Sequence, residues 1–334
     1  MLLYIAVKKL QSIIHYFAAV LQLKNYMKKI FTGAIIISAL ALTAVYIYIP
    51  SQLQINRSIT IHCPKNAANK ILSSHAKWLQ WWPGQKTGDF SLNNIVYTPE
   101  LPAAGSFTII MRQNEDSIKS FLHLLTAQKD SISLVWSCNI DAGINPFERF
   151  QQYSTAVAYA DNMQLILDSL EAYLLQTKNV YGIEINSARV KDTLLMSTKK
   201  IIGHRPETAD IYLLVNKLKA AIAKGGSVAT NYPMLSISNI DSALFQVQVA
   251  IPVNKPVKEE NDITFKRMVP GNILITSDIT GGDYTVHEKL KQLEAYTTDF
   301  QKIVPAIPFQ SLVTDRMLEP DTGKWITRIY CPVY

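Results

Sequence analysis

From Phe31 to Ile49 the chain carries no charged residue, and only Thr32, Gly33, Ser38 and Thr43 interrupt its apolar character. A helix rises 1.5 Å per residue, so a run of roughly 19 residues reaches about 28 Å, close to the hydrocarbon thickness of a bilayer. Apolarity on every side leaves no face for water, and the segment is expected to cross a membrane. Tyr46 and Tyr48 stand near its far end, where amphipathic rings favour the headgroup region, and Pro50 stops the helix. A cleaved leader is the rival reading. Its apolar section is typically about 7–15 residues, and the crude site Ala39-Leu40-Ala41 falls inside the run. An uncleaved single-pass anchor is therefore expected over residues 31–49.

Lys24, Lys28 and Lys29 precede this run, and the next charge after it is Arg57. The excess of positive charge on the near side predicts residues 1–30 in the cytoplasm and everything after Pro50 on the far side of a bacterial inner membrane, facing the periplasm or exterior. Before Met27, the apolar residues Ile13, Ile14, Phe17, Val20 and Leu21 share one helical face. They fit an interfacial helix or a stretch upstream of the true start.

The net charge of +7 invites a nucleic-acid reading until its distribution is followed. No acidic residue occurs before Asp89, so the basic excess belongs to the membrane-proximal end, and the remainder of the chain is slightly acidic. No nucleic-acid partner is expected. Cys63, Cys138 and Cys331 form no metal-binding spacing, and the six histidines are scattered with no HExxH or similar pattern, so neither a metal nor a cofactor is expected. Gly225-Gly226 and Gly281-Gly282 read as turns at helix ends rather than phosphate cradles.

After the anchor, Leu53, Ile55, Ile59 and Ile61 alternate with polar residues as in a strand. A short helix over Asn66–Leu79 follows, then strands at Ser106–Met111, Ser117–Leu125 and Ser131–Ile140, then a long helix over Pro146–Gln176 with Leu165, Leu167, Leu170 and Leu174 marking its apolar stripe. Trp78, Trp81 and Trp82 place three indoles within five residues and read first as packing anchors. This order, with Ile59-Thr60-Ile61, Trp78, Trp81-Trp82-Pro83, Val135-Trp136 and Asn145-Pro146-Phe147-Glu148-Arg149-Phe150, resembles the START-like polyketide-cyclase (SRPBCC) superfamily over residues 53–177. The resemblance implies a helix-grip fold around an apolar cavity, with Trp82 and Trp136 as candidate ligand contacts. It also implies that the first and last strands are neighbours, in which case Cys63 and Cys138 could pair; the alternative is three buried free thiols.

Residues 179–334 carry an internal repeat: strand Tyr181–Ile185, helix Thr208–Lys224, strands Pro233–Ser238 and Ala243–Val253, then Gly271–Ile279, helix Asp283–Phe300, and strands Pro308–Thr314 and Trp325–Val333. Pro233-Met234 matches Pro308-Phe309, and Ile251-Pro252-Val253 matches Cys331-Pro332-Val333. Two βαββ units sharing one sheet would leave a concave site at their junction. With Gly281-Gly282-Asp283-Tyr284, Val313-Thr314-Asp315, Glu319-Pro320-Asp321-Thr322, Lys324-Trp325 and the C-terminal strand, the segment resembles the GyrI-like small-molecule-binding domain. In that family the strand before the Thr-Asp pair holds a glutamate and, two residues on, a tyrosine; the carboxylate meets cationic ligands and some members hydrolyse their ligands. Here the two positions hold Gln310 and Leu312.

The expected fold class is thus α+β: a transmembrane helix, a helix-grip domain and a duplicated βαββ domain. The expected function is membrane-anchored binding or sensing of a small hydrophobic or neutral ligand, with Gln310, Leu312, Trp325 and Tyr284 as candidate contacts in the C-terminal cleft. The alternatives are a hydrolase of small apolar adducts, which the missing glutamate and tyrosine argue against, and a scaffold whose cavities have filled with side chains. Glu184 and Asp241 are the acids that could restore charge to the cleft; Asp315, Glu319 and Asp321 read as turn residues.

Overall fold

A computed structural model describes residues 26–334, except 87–88, 101–104, 115, 242, 261 and 271–272. The amphipathic stretch around Ile13–Leu21 lies outside the described residues. Helix α1 runs Tyr26–Tyr48, with a mean hydropathy of 2.2 over its most apolar window and none of that window buried. It is long and apolar enough to cross a membrane, and it begins before the uncharged run, so that Lys28 and Lys29 fall in its first turn.

The first sheet has six antiparallel strands: β1 (Gln52–Ile61), β2 (Phe90–Leu92), β3 (Ile95–Pro99), β4 (Ser106–Gln113), β5 (Asp116–Gln128) and β6 (Ser131–Asp141), in the order β1-β6-β5-β4-β3-β2. Burial alternates along β6 and along β4 as far as Met111, as expected where one face meets a core and the other meets water. That inner face grips α4 (Pro146–Leu174), a 29-residue helix. Its start is set locally: Asn145 accepts a hydrogen bond from the Phe147 amide, and Pro146 supplies a φ already suited to the first turn.

Two local expectations are corrected. The helix expected over Asn66–Leu79 is broken into α2 (Lys65–Leu72) and α3 (His75–Trp81). Ser74 is extended, and the chain reversal lets the Trp78 indole donate to the Leu72 carbonyl at 2.8 Å, a group that the end of α2 leaves without a helical partner. The hairpin β2–β3 was not anticipated. It turns at Asn93-Asn94, both at positive φ (50° and 63°), the conformation that a two-residue type I′ turn requires and asparagine tolerates.

Strands β1 and β6 are antiparallel neighbours, as the resemblance implies, but the register separates the cysteines. Cys138 lies opposite Ile55, whereas Cys63 lies beyond Ile61, which pairs with Ile132. Six strand residues from Ile55 to Ile61 span roughly 20 Å, far beyond the reach of a disulfide. Cys63, Cys138 and Cys331 are free and buried, and burial pushes their thiols up to about 12, 11 and 11.

The second sheet has eight antiparallel strands. Its elements follow α5 (Thr177–Tyr181): β7 (Asn186–Arg189), β8 (Leu194–Ile202), α6 (Thr208–Lys224), β9 (Met234–Asn239), β10 (Phe245–Pro252), β11 (Thr264–Arg267), β12 (Ile273–Thr280), α7 (Asp283–Asp299), β13 (Phe309–Leu312) and β14 (Ile326–Val333). The order β11-β8-β10-β9-β13-β14-β12-β7 reads as two equivalent halves meeting at β9 and β13. The duplication is present, and each βαββ unit has an extra leading strand that crosses to the other half: β7 pairs with β12, and β11 with β8. Tyr181–Ile185, expected as a strand, instead holds the end of α5, which Gly182 terminates at φ 70°. Strand β8 was missing from the expected repeat.

Buried apolar residues form two clusters. One fills the helix-grip layer and continues through Tyr181 and Ile183 to Val286 and Leu293 of α7. The other lies beneath α6 and includes Val215, Leu218, Leu235 and Leu312.

Candidate ligand cleft at the strand junction

The two halves of the eight-stranded sheet are joined over a short length, with Gln310 opposite Leu235 and Ser311 opposite Met234. On one side the Leu312 amide donates to the Pro233 carbonyl at 2.9 Å; on the other the Ser236 hydroxyl donates to the Pro308 carbonyl at 3.2 Å. The junction holds a cleft of about 270 Å³ between β9, β13 and the start of α7. Leu235, Ile237, Phe245 and Leu290 give it an apolar wall; Arg205, Asp283, His287 and Gln310 supply the polar groups. Asp283, His287 and Leu290 come from one face of α7, since positions i, i+4 and i+7 align along a helix. A second cavity of about 330 Å³ meets the same junction, sharing Leu235 and Ser236 and lined by Met234 and Phe309.

Gln310 Oε1 is buried and has no hydrogen-bond partner among the described residues. An amide dipole taken from water without a partner is costly, typically about 1–3 kcal/mol in proteins. A ligand N–H in this cleft would satisfy it; on rotation the carboxamide offers a donor instead.

The acid at the cleft is already neutralised. Asp283 accepts from the Arg316 guanidinium, which is 4 % exposed and lies 4.7 Å from the Trp325 ring centroid. Arg316 also donates to Thr327 Oγ1 at 3.1 Å, and its amide donates to the Tyr212 hydroxyl at 2.7 Å. One residue thus ties α6, α7 and β14 together. Arg205 has no ion-pair partner among the described residues, so the cleft's balance of charge is not negative.

The six candidate contacts are placed as follows. Gln310 lines the cleft. Leu312 shares its face of β13 but is 2 % exposed and joins the core under α6. Tyr284 is 71 % exposed, because one residue after Asp283 is about 100° round the helix and faces solvent. Trp325 is buried, its indole donating to the Glu319 carbonyl at 2.8 Å, and supports Arg316 rather than lining the cleft. Trp82 and Trp136 are buried among Trp78, Phe90 and Tyr97, with indoles donating to the Ser91 carbonyl and Ser120 Oγ. They line none of the cavities described here. Glu184 and Asp241 are exposed and are not among the residues that line the cleft, and Asp315, Glu319 and Asp321 accept main-chain hydrogen bonds within their turns.

Arg205, Asp283, His287 and Arg316 escaped the sequence reading as site residues. Asp283 had a signal, as an acid opening a helix after two glycines; the others had none.

A further groove of about 610 Å³ lies in the six-stranded unit between the ends of β4–β6 and the first half of α4, lined by Asp116, Lys119, Asn139 and Gln151. Tyr159 borders it with a buried hydroxyl that has no partner among the described residues, and burial pushes that phenol up to about 12.

No protein-family model and no curated protein matches the chain. Among solved structures, the C-terminal domain of EcmrR aligns at 17% identity over 46% of this chain and 98% of that one, with a TM-score of 0.40. A hydrolase from Listeria innocua aligns at 10% identity over 45% and 92%, with a TM-score of 0.33. A START superfamily protein from Mycobacterium smegmatis aligns at 10% identity over 37% and 97%, with a TM-score of 0.28.

Proposed function

We propose that the chain is a small-molecule-binding protein held at a membrane by α1, and that its site is the cleft at the β9–β13 junction. The observation that carries this reading is the Gln310 carboxamide at the cleft wall, with its Oε1 buried and without a hydrogen-bond partner among the described residues. The ligand class is neutral or weakly polar. An amide offers no charge to offset the dehydration of an organic cation, Asp283 is committed to Arg316, and Arg205 adds repulsion.

The test uses the full chain in lipid nanodiscs, titrated calorimetrically with N-benzylacetamide and benzyltrimethylammonium. The wild type is expected to bind the neutral amide and to bind the cation at least about tenfold more weakly, whereas Gln310→Glu recovers about 2 kcal/mol or more for the cation. Tight cation binding by the wild type, unimproved by the substitution, would overturn the reading, as would silence towards both probes at millimolar concentration.

The orientation belongs to the same proposal. Lys28 and Lys29 at the near end of α1 support an orientation with both sheets on the far side of the membrane. An alkaline phosphatase fused after Tyr334 is expected to be active in a bacterial host. Activity only from a cytoplasmic reporter at that position would reverse the topology.

A further inference from the structure

The first turns of α4 carry an outward stripe of large apolar residues: Phe147 is 81 % exposed, Phe150 66 %, Tyr153 48 % and Val157 43 %, with Ile144 just ahead of the helix at 85 %. These positions advance by three or four residues and so lie along one helical face, opposite the buried stripe of Ala156, Tyr159 and Met163. Further along the same outer face the character changes, and Asp161 and Asp168 flank the single Leu165. An outer face that is apolar at one end and acidic at the other is matched to a boundary between two media rather than to uniform water.

The apolar end is fastened to α1. The Tyr46 hydroxyl donates to the Ile144 carbonyl at 2.8 Å. Arg149 donates to the Ile49 carbonyl at 3.0 Å and to the Gly143 carbonyl at 2.9 Å, with its guanidinium 4.6 Å from the Tyr46 ring centroid. Helical side chains lean towards the helix N-terminus, so the Tyr46 hydroxyl lies no further out than the last turn of α1. Ile144 is therefore at the depth where α1 leaves the hydrocarbon.

We infer that the first three turns of α4 lie on the bilayer that α1 enters, with Ile144, Phe147 and Phe150 inserted among the lipid headgroups and upper acyl chains. This rests on the reading of α1 as a membrane span. The occupant is a lipid surface because the stripe is continuous with the lipid-facing end of α1, and the seating is apolar because Glu148 and Arg149 offset each other beside it. Anionic lipid is not required. The seating brings the neighbouring groove, through Gln151, close to the membrane surface.

Nitroxide labels at single introduced cysteines in the full chain, in phosphatidylcholine nanodiscs, read the depth directly; the native thiols are buried and stay unlabelled. Labels replacing Phe147 and Phe150 are expected to favour oxygen over a water-soluble nickel chelate and to lie about 5–10 Å into the headgroup and upper acyl region. Labels replacing Asp161 and Asp168 are expected to remain accessible to the chelate, and adding phosphatidylserine changes none of these. A label replacing Ile36 reports α1 itself. If Ile36 is in lipid while Phe147 and Phe150 are open to the chelate, this inference fails and the anchor stands. If Ile36 is open as well, both fail.

Discussion

Replacing Trp78 by alanine is expected to destabilise the six-stranded unit by about 4 kcal/mol, near the middle of the range for truncating a fully buried tryptophan. Trp78 is 1 % exposed and packs against Trp81, Trp82 and Phe90 with ring centroids 4.8, 6.0 and 5.6 Å away. Each such pair contributes about 0.5–1.5 kcal/mol beyond its buried area. The indole also holds the Leu72 carbonyl where α2 ends, so truncation opens a cavity and leaves that acceptor without its partner. Helix α3 has seven residues, too few to persist without its buried anchors. Trp78→Phe keeps an aromatic ring and removes the N–H, and about 1–2 kcal/mol is expected for it. Guanidinium unfolding of the detergent-solubilised chain measures both changes. A loss below about 1 kcal/mol for the alanine variant would show that the aromatic cluster is not what fixes the broken helix to the sheet.

Arg316→Met is expected to cost about 3 kcal/mol and to change which ligands the cleft accepts. The guanidinium side chain is buried, stacks on Trp325, and hydrogen-bonds Asp283 and Thr327 from the loop after β13. Methionine fills much of the volume but offers no donors, so Thr327 Oγ1 loses its partner and Asp283 its counter-charge. Asp283 is partly exposed, which lets water soften the loss, and the figure is set at the low end of that for a buried pair. The freed carboxylate then faces the cleft, and binding of benzyltrimethylammonium should rise although Gln310 is untouched. Asp283→Asn in the same background should remove that gain, and the double-mutant cycle isolates the pair from the packing change. No gain in cation binding by Arg316→Met would mean that Asp283 does not report to the cleft.

Features that depend on near neighbours in the chain were legible in the sequence. The uncharged run of α1 follows from composition alone, because a helix without a polar face has no stable position in water. The alternation of β4 and β6, the Asn145-Pro146 start of α4 and the duplicated C-terminal strands are local patterns with period two, period 3.6 or a repeat. The Asn93-Asn94 turn was local as well, and its hairpin could have been read from those two residues.

Tertiary structure decided whatever turns on register, helical phase or the crossing of distant segments. Pairing of β1 with β6 made Cys63 and Cys138 remote although their strands adjoin, since register is set by which faces are buried along the whole ladder. Exchange of β7 and β11 between the halves is a long-range choice with no local signal. The phase of α7 turned Asp283 and His287 to the cleft and Tyr284 to water. Gln310 falls on a strand as expected, yet the partner that neutralises the acid beside it in the cleft, Arg316, sits in a loop and is brought in only by the packing of α6, α7 and β14. A charge is placed by solvation and by partners far away in the chain, and neither is encoded in the spacing of the residues around it.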